Sequence, residues 1–217
     1  MNVRLIYAII LHIEVIKMLS TAQKIMNRIK RKGRGWVFTP QDFVDLASRS
    51  NVDVILYRLV QDGDIRRIQR GLYDFPKIDA RLGILSPDVK GIAQAVARQS
   101  GDNIAQSGAA AANLLGLSTQ VPGKIVYSTT GKSKSIPMKN RSIRLVSSHI
   151  PAALHHLDDP VTLTLQALDY LGKKHVTTTM IKKCASILSD TDKNRIRHNL
   201  RYIKNAWLSD VARQLCN

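Results

Sequence analysis

What most constrains this chain is the close spacing of start and stop signals between Thr39 and Phe75. Thr39-Pro40-Gln41-Asp42 predicts a helix start: threonine is a good N-cap, and proline suits the first helical position, where its missing N–H costs nothing. Phe43, Val44 and Leu46 supply an apolar face. A second start comes at Ser50-Asn51-Val52-Asp53, with Ser50 as the cap and Asp53 three residues on, close to a capping box and favourable to the helix dipole. That helix is expected to run to Gln61, burying Val52, Ile55, Leu56, Leu59 and Val60 and leaving Asn51, Val54, Tyr57, Arg58 and Gln61 outside. Asp62-Gly63 stops it. Ile65-Arg66-Arg67-Ile68, Gln69-Arg70-Gly71 and Leu72-Tyr73-Asp74-Phe75 then read as strand, tight turn and strand, and Pro76 closes the run.

Upstream, Thr21 to Lys32 places Ile25, Met26 and Ile29 at helical spacing among cations, and Gly33 and Gly35 end it. Trp36-Val37-Phe38 is a short β-like run. Helix, short strand, helix, turn, helix and hairpin, in that order, predict a winged helix-turn-helix over residues 20–78. Residues 1–19 are set apart. Leu5 to Val15 is apolar and comes after Arg4, as in a signal peptide. His12 and Glu14 interrupt it, however, no small-residue cleavage site is present beyond it, and it falls short of the roughly 20 apolar residues that span a bilayer. It reads either as an extension ahead of a true start at Met18 or as an accessory helix.

Downstream, Lys77 to Pro87 reads as a linker, and Asp88 to Gln99 and Ser107 to Leu115 as helices. Lys124 to Thr129, Ser135 to Met138 and Ser142 to Ser147, divided by Gly131 and Asn140, predict a small antiparallel meander. Val161 to Leu171, Thr178 to Leu188 and Asp192 to Leu215 are helical. Ile196, Leu200, Ile203 and Trp207 form one stripe in the last of these. The expected fold class is therefore α+β: an N-terminal winged helix-turn-helix, then a mixed helical domain with a small antiparallel sheet over 79–217.

Thirty-three Lys and Arg face 16 acidic residues, a formal charge of +17, and aliphatic residues are spread throughout. A folded domain with a polyanionic partner fits this better than a basic disordered tail. Double-stranded DNA is the expected partner. A recognition helix presents short polar or planar side chains to base edges, a task that suits Asn51, Tyr57 and Arg58, with Ser50 and Val54 as further candidate contacts. Cations at its ends and in the wing hold phosphates, which suits Arg34, Arg49, Arg66, Arg67 and Arg70, with Thr39 and Gln69 as further polar contacts. From Asn103 through Leu157 no acidic residue occurs, while Lys124, Lys132, Lys134, Lys139, Arg141 and Arg144 fall inside. This strip reads as a second basic surface, for phosphate or for an acidic protein partner.

Signals of catalysis are weak. Gly131-Lys132-Ser133 matches the end of a P-loop, but Val126 stands where the leading glycine belongs. His149, His155 and His156 near Asp158 and Asp159 show no metal-ligand spacing, so a polar loop is expected there and no metal or cofactor. Cys184 and Cys216 form no motif, which fits a reducing cytoplasm. With six tyrosines, three phenylalanines and two tryptophans, base-stacking platforms for RNA are scarce.

Gly35-Trp36-Val37-Phe38-Thr39-Pro40 with Asp42-Phe43, then Leu59-Val60-Gln61-Asp62-Gly63-Asp64-Ile65-Arg66-Arg67-Ile68-Gln69-Arg70-Gly71-Leu72-Tyr73-Asp74, resembles the N-terminal winged-helix domain of AbiEi-type antitoxins of bacterial abortive-infection, type IV, toxin–antitoxin systems. Ser107 to Leu117 and the strands after it resemble that family's C-terminal antitoxin domain, so the resemblance spans Ser20 to Leu171. It implies a transcriptional repressor of its own operon, whose basic C-terminal domain counteracts a nucleotidyltransferase-like toxin encoded beside it. The helix from Ser50 to Gln61 would read bases, and Arg66, Arg67 and Arg70 would form the wing. The segments before Met18 and after Leu171 depart from the pattern. An alternative is a protein-interaction module that neutralises an acidic toxin by direct binding.

Overall fold

Helix α1 (residues 21–32) opens the part of the chain that the computed structural model describes, which comprises residues 21–138 and 141–216. The expected accessory helix within residues 1–19 and the turn at Asn140 lie outside the described residues. The chain divides into two units, Met1–Gln99 and Ser100–Asn217. The fold is mixed α+β, with eight α-helices among the described residues.

In the first unit, β1 (Val37–Phe38) leads into a 3-10 turn (Pro40–Phe43), then α2 (Arg49–Gln61), β2 (Arg66–Gln69) and β3 (Leu72–Asp74). The strands form an antiparallel sheet in the order β1-β3-β2. Thr39 does take the N-cap position, with Pro40 next in the chain, and its backbone N–H donates to Asp42 Oδ2 at 2.8 Å. The segment it opens is a 3-10 turn anchored by the buried Pro40 and Phe43, while Val44 turns outward, 42% exposed. The α2 cap is Ser48 rather than Ser50, so the helix starts earlier than expected. Asp53 pairs with Arg49, Nε to Oδ2 3.1 Å, instead of closing a capping box.

The core of this unit joins Ile25 and Ile29 of α1, Val52, Ile55 and Leu56 of α2, and an aromatic cluster. Phe38 meets Phe43 edge-on at 5.5 Å and 86°, and Trp36 lies 4.8 Å from Phe38, distances at which ring quadrupoles attract beyond simple burial. Phe38 and Tyr73, paired across β1 and β3, put one face of the sheet against these helices. The opposite face carries Val37 and Asp74.

Lys77 to Pro87 is not an open linker, since it holds the hairpin β4 (Ile78–Asp79) and β5 (Gly83–Ile84). Helix α3 (Val89–Ser100) then returns to the first sheet. A Cβ on Gly91 would sit 3.1 Å from Val37 Cγ2, so the helix and strand approach closely. Arg98 donates to the Val37 carbonyl at 3.0 Å and to Asp42 Oδ1 at 3.1 Å. The unit boundary therefore falls at the end of α3, between Gln99 and Ser100, and not at 78/79: turn-forming residues mark a hairpin as readily as a domain linker, and only the contacts of Arg98 and Gly91 separate the two.

The second unit contains β6 (Ile104–Gln106), α4 (Gly108–Leu114), β7 (Ile125–Thr129), β8 (Lys134–Pro137) and β9 (Ser142–Ser147), then α5 (Pro160–Leu171), α6 (Thr178–Ile187), α7 (Asp190–Asn199) and α8 (Ala206–Leu215). Its sheet has the order β6-β7-β9-β8. β8 pairs β9 antiparallel, as a meander requires, but β9 runs parallel to β7 and separates it from β8. β9 alternates as a one-face-buried strand does, with Ile143 and Leu145 at 0% and 1% exposure between exposed Ser142, Arg144 and Val146. The helix expected over Asp192 to Leu215 is two helices. It breaks at a 3-10 turn (Leu200–Tyr202), and Asn205 restarts it as N-cap, accepting from Leu208 N–H at 3.3 Å. The break lets α8 fold back on α5, α6 and α7 and bury Leu208, Val211 and Leu215. Among the described residues, no helix is long and apolar enough to cross a membrane.

Candidate nucleic-acid interface

Helix α2 divides as its 3.6-residue period demands. Val52, Ile55, Leu56 and Leu59 are buried, while Ser50, Asn51, Val54, Tyr57, Arg58 and Gln61 are exposed on the outer side. Tyr57 is 60% exposed, so its ring projects into solvent instead of packing inward. Arg49 is exposed at the helix start and shares its charge with Asp53. Thr39 is different. At 1% exposure its side chain is consumed in the turn and is withdrawn from any ligand surface.

The hairpin after α2 separates its arginines by strand alternation. Arg66 is directly opposite Asp74, and Arg67 opposite Tyr73. The Arg66 guanidinium donates from Nε and Nη2 to both Asp74 oxygens, at 2.9 and 2.6 Å, and the carboxylate is 1% exposed. Arg66 thus neutralises a buried charge and is not available as expected. Arg67 and Arg70 are exposed and make no ion pair among the described residues. Gly71, at φ +72, closes the turn in a conformation that L side chains rarely adopt, which sets Arg70 at the hairpin tip. Gln69 lies beyond the irregularity in the β2–β3 register and is half-buried. Arg34 is exposed, but its guanidinium lies 4.5 Å over the Phe75 ring and donates to the Pro76 carbonyl at 2.9 Å. Reasoning from the sequence left out the exposed Lys30, Arg31 and Lys32 at the end of α1, although the charge run itself announced them.

The basic strip of the second unit does not share one face. Lys124, Lys132, Arg141 and Arg144 are exposed; Lys134 is half-buried, with its ammonium 3.2 Å from Ser100 Oγ; Lys139 lies outside the described residues. Arg144 pairs with Ser135 while Lys134 pairs with the buried Leu145, so the two cations belong to opposite sides of the sheet. The three histidines also diverge. His149 and His156 are exposed, whereas His155 is fully buried with Nε2 3.0 Å from Ser128 Oγ. Burial lowers the His155 pKa to about 4. No cluster of three or more His, Cys, Asp or Glu able to hold a metal occurs among the described residues.

These features define a two-unit α+β protein with a cationic helix-and-hairpin surface on its first unit. Residues 24–196 match the family model described as "Family of unknown function (DUF6088)", and the chain belongs to that family. Among solved structures it is similar to "Crystal structure of RV2827C protein from Mycobacterium tuberculosis", with 14% identity and a TM-score of 0.42 over 91% of this chain and 80% of that one. No curated protein matches the sequence.

Proposed function

We propose that this protein is a DNA-binding transcriptional repressor and antitoxin of a toxin–antitoxin operon, acting in the cytoplasm by binding and not by catalysis. In this reading the first unit is a winged helix-turn-helix: α2 enters the major groove and the β2–β3 hairpin is the wing. The observation that carries it is the pairing of an exposed polar helix face, Asn51, Tyr57 and Arg58, with a hairpin that comes directly after it and holds Arg67 and Arg70 in solvent. Base edges are read by side chains of the first kind and phosphates are held by the second. A formal charge of +17 supplies the long-range attraction. The resemblance to AbiEi-type antitoxins supports an operator in the protein's own promoter and a nucleotidyltransferase-like toxin as the target of the second unit.

The test is fluorescence anisotropy with a duplex from the protein's own upstream region, titrated at several salt concentrations. Each lost phosphate contact lowers the log–log salt slope by about 0.9. Arg67→Ala and Arg70→Ala together therefore flatten the slope by about twice that amount and weaken binding on every sequence. Unchanged slope and affinity in the double variant would remove the wing.

A further inference from the structure

The second unit holds a cavity of about 670 Å³, lined by β7, the end of β9, the start of α4 and the Gln166 to Tyr170 stretch of α5. This lies in the size range of small-molecule sites, which are mostly apolar with a few converging polar groups. Val126, Tyr127, Val146 and Tyr170 provide the apolar lining. Ser128 and Gln166, 6% and 7% exposed, supply the deep polar groups.

A polar side chain placed that deep costs free energy unless its hydrogen bonds are made. The Gln166 amide donates its hydrogens to Ser128 Oγ and Ser148 Oγ, each at 2.9 Å. Its Nε2 is thereby used up, while Oε1 has no hydrogen-bond partner among the described residues. Ser128 Oγ is in turn 3.0 Å from His155 Nε2, a ring that is fully buried and clamps the serine from behind. The amide is thus locked in one orientation with a free acceptor. Stability alone does not call for this arrangement: an aliphatic side chain at position 166 would fill the same space with no polar group to satisfy.

The charged lining residues are Lys124, which is exposed, and Asp169, half-buried. The titratable His149 is exposed as well. The deep part therefore suits a neutral, flat group with an N–H for Gln166 Oε1 and further hydrogen-bonding atoms for the neighbouring serine hydroxyls. Tyr170, 52% exposed, offers a ring for stacking, and Lys124 offers a cation. A nucleobase has this combination of planarity, neutrality and adjacent donors and acceptors. We propose that this cavity binds a free nucleoside or nucleotide, with the base turned inward against Gln166 and any phosphate toward Lys124.

Isothermal titration of the full chain with adenosine, guanosine, cytidine and thymidine, and with their 5′-monophosphates, tests this. At least one nucleoside is expected to bind saturably, one per chain. Val146→Phe, which enlarges a lining side chain that is 38% exposed, blocks binding without touching the Ser128–Gln166 bonds. Gln166→Leu weakens it by about tenfold or more, the cost of one well-made hydrogen bond. Lys124→Ala weakens only the monophosphates, which separates the two sources of the base. Circular dichroism melts verify that each variant is folded. No binding of any of the eight compounds at millimolar concentration, or binding that survives both Val146→Phe and Gln166→Leu, overturns the assignment. The Arg67→Ala/Arg70→Ala protein keeps nucleoside binding, so this site and the DNA surface can fail independently.

Discussion

Arg66 and Asp74 stand directly opposite each other on β2 and β3 and close a two-point ion pair around a carboxylate that is 1% exposed. The geometry sets two neighbouring arginines to different tasks. Arg66→Ala would leave a buried carboxylate without its counter-charge, at a cost of about 3 kcal/mol. Urea unfolding should show that loss, while Arg67→Ala, on an exposed side chain, should stay within about 0.5 kcal/mol of the parent. Equal effects of the two would mean that Asp74 is satisfied without Arg66.

Asn51 and Tyr57 are exposed on α2, so neither substitution to alanine should disturb folding. Under the DNA reading their loss relaxes base preference: discrimination between the operator and a single-base variant falls by about 1–3 kcal/mol, with the salt slope unchanged. Competition titrations with systematically altered duplexes measure this. If specific and non-specific binding drop by the same factor, α2 does not read bases.

The burial pattern of α2 was legible because a 3.6-residue period is a property of neighbours in the chain. The role of Arg66 was not. Alternation alone separates it from Arg67, but which face is free depends on α3 returning to cover β1 through Gly91 and Arg98, a contact across more than fifty residues. The order of the second sheet was hidden for a similar reason. Two short connections suggest a meander, and nothing in the alternation of either strand announces that β9 pairs parallel with β7. The Ser128–His155–Gln166 network was equally out of reach, since its members come from β7, the loop before α5 and α5 itself, with no motif among them.

Asp159 joins two devices at the start of α5. Its Oδ2 accepts from Thr162 N–H at 3.0 Å, and Arg195 of α7 donates to Oδ1 at 2.8 Å. Burial pushes this carboxyl up, yet the Arg195 guanidinium and the Thr162 donors outweigh it and hold the pKa below the usual carboxylate value. Asp159→Ala removes cap and ion pair together and should cost about 2 kcal/mol. Asp159→Asn, which keeps an acceptor for Thr162 but no charge for Arg195, should cost less. Thermal denaturation of the two variants tests that order.

His155 makes stability depend on pH in a definite direction. Its pKa is lowered by burial from the ordinary 6.5 to about 4, and its Nδ1 has no hydrogen-bond partner. As pH falls, the unfolded chain takes up this proton near 6.5 and the folded chain only near 4. Between those values the unfolded state holds more protons, so stability drops with falling pH; the contribution is complete above 6.5 and is lost toward 4. By pH 5 the loss is about 2 kcal/mol. Asp159 acts in the same direction but lower, because its contribution is lost only as pH falls through the carboxylate range. His155→Gln retains polar atoms for Ser128 and cannot titrate. Urea unfolding at pH 7 and pH 5 should therefore show the parent losing about 2 kcal/mol more than the variant between the two conditions. Parallel losses would mean that His155 takes its proton equally in both states, and that the ring is not held in the dry setting behind Ser128.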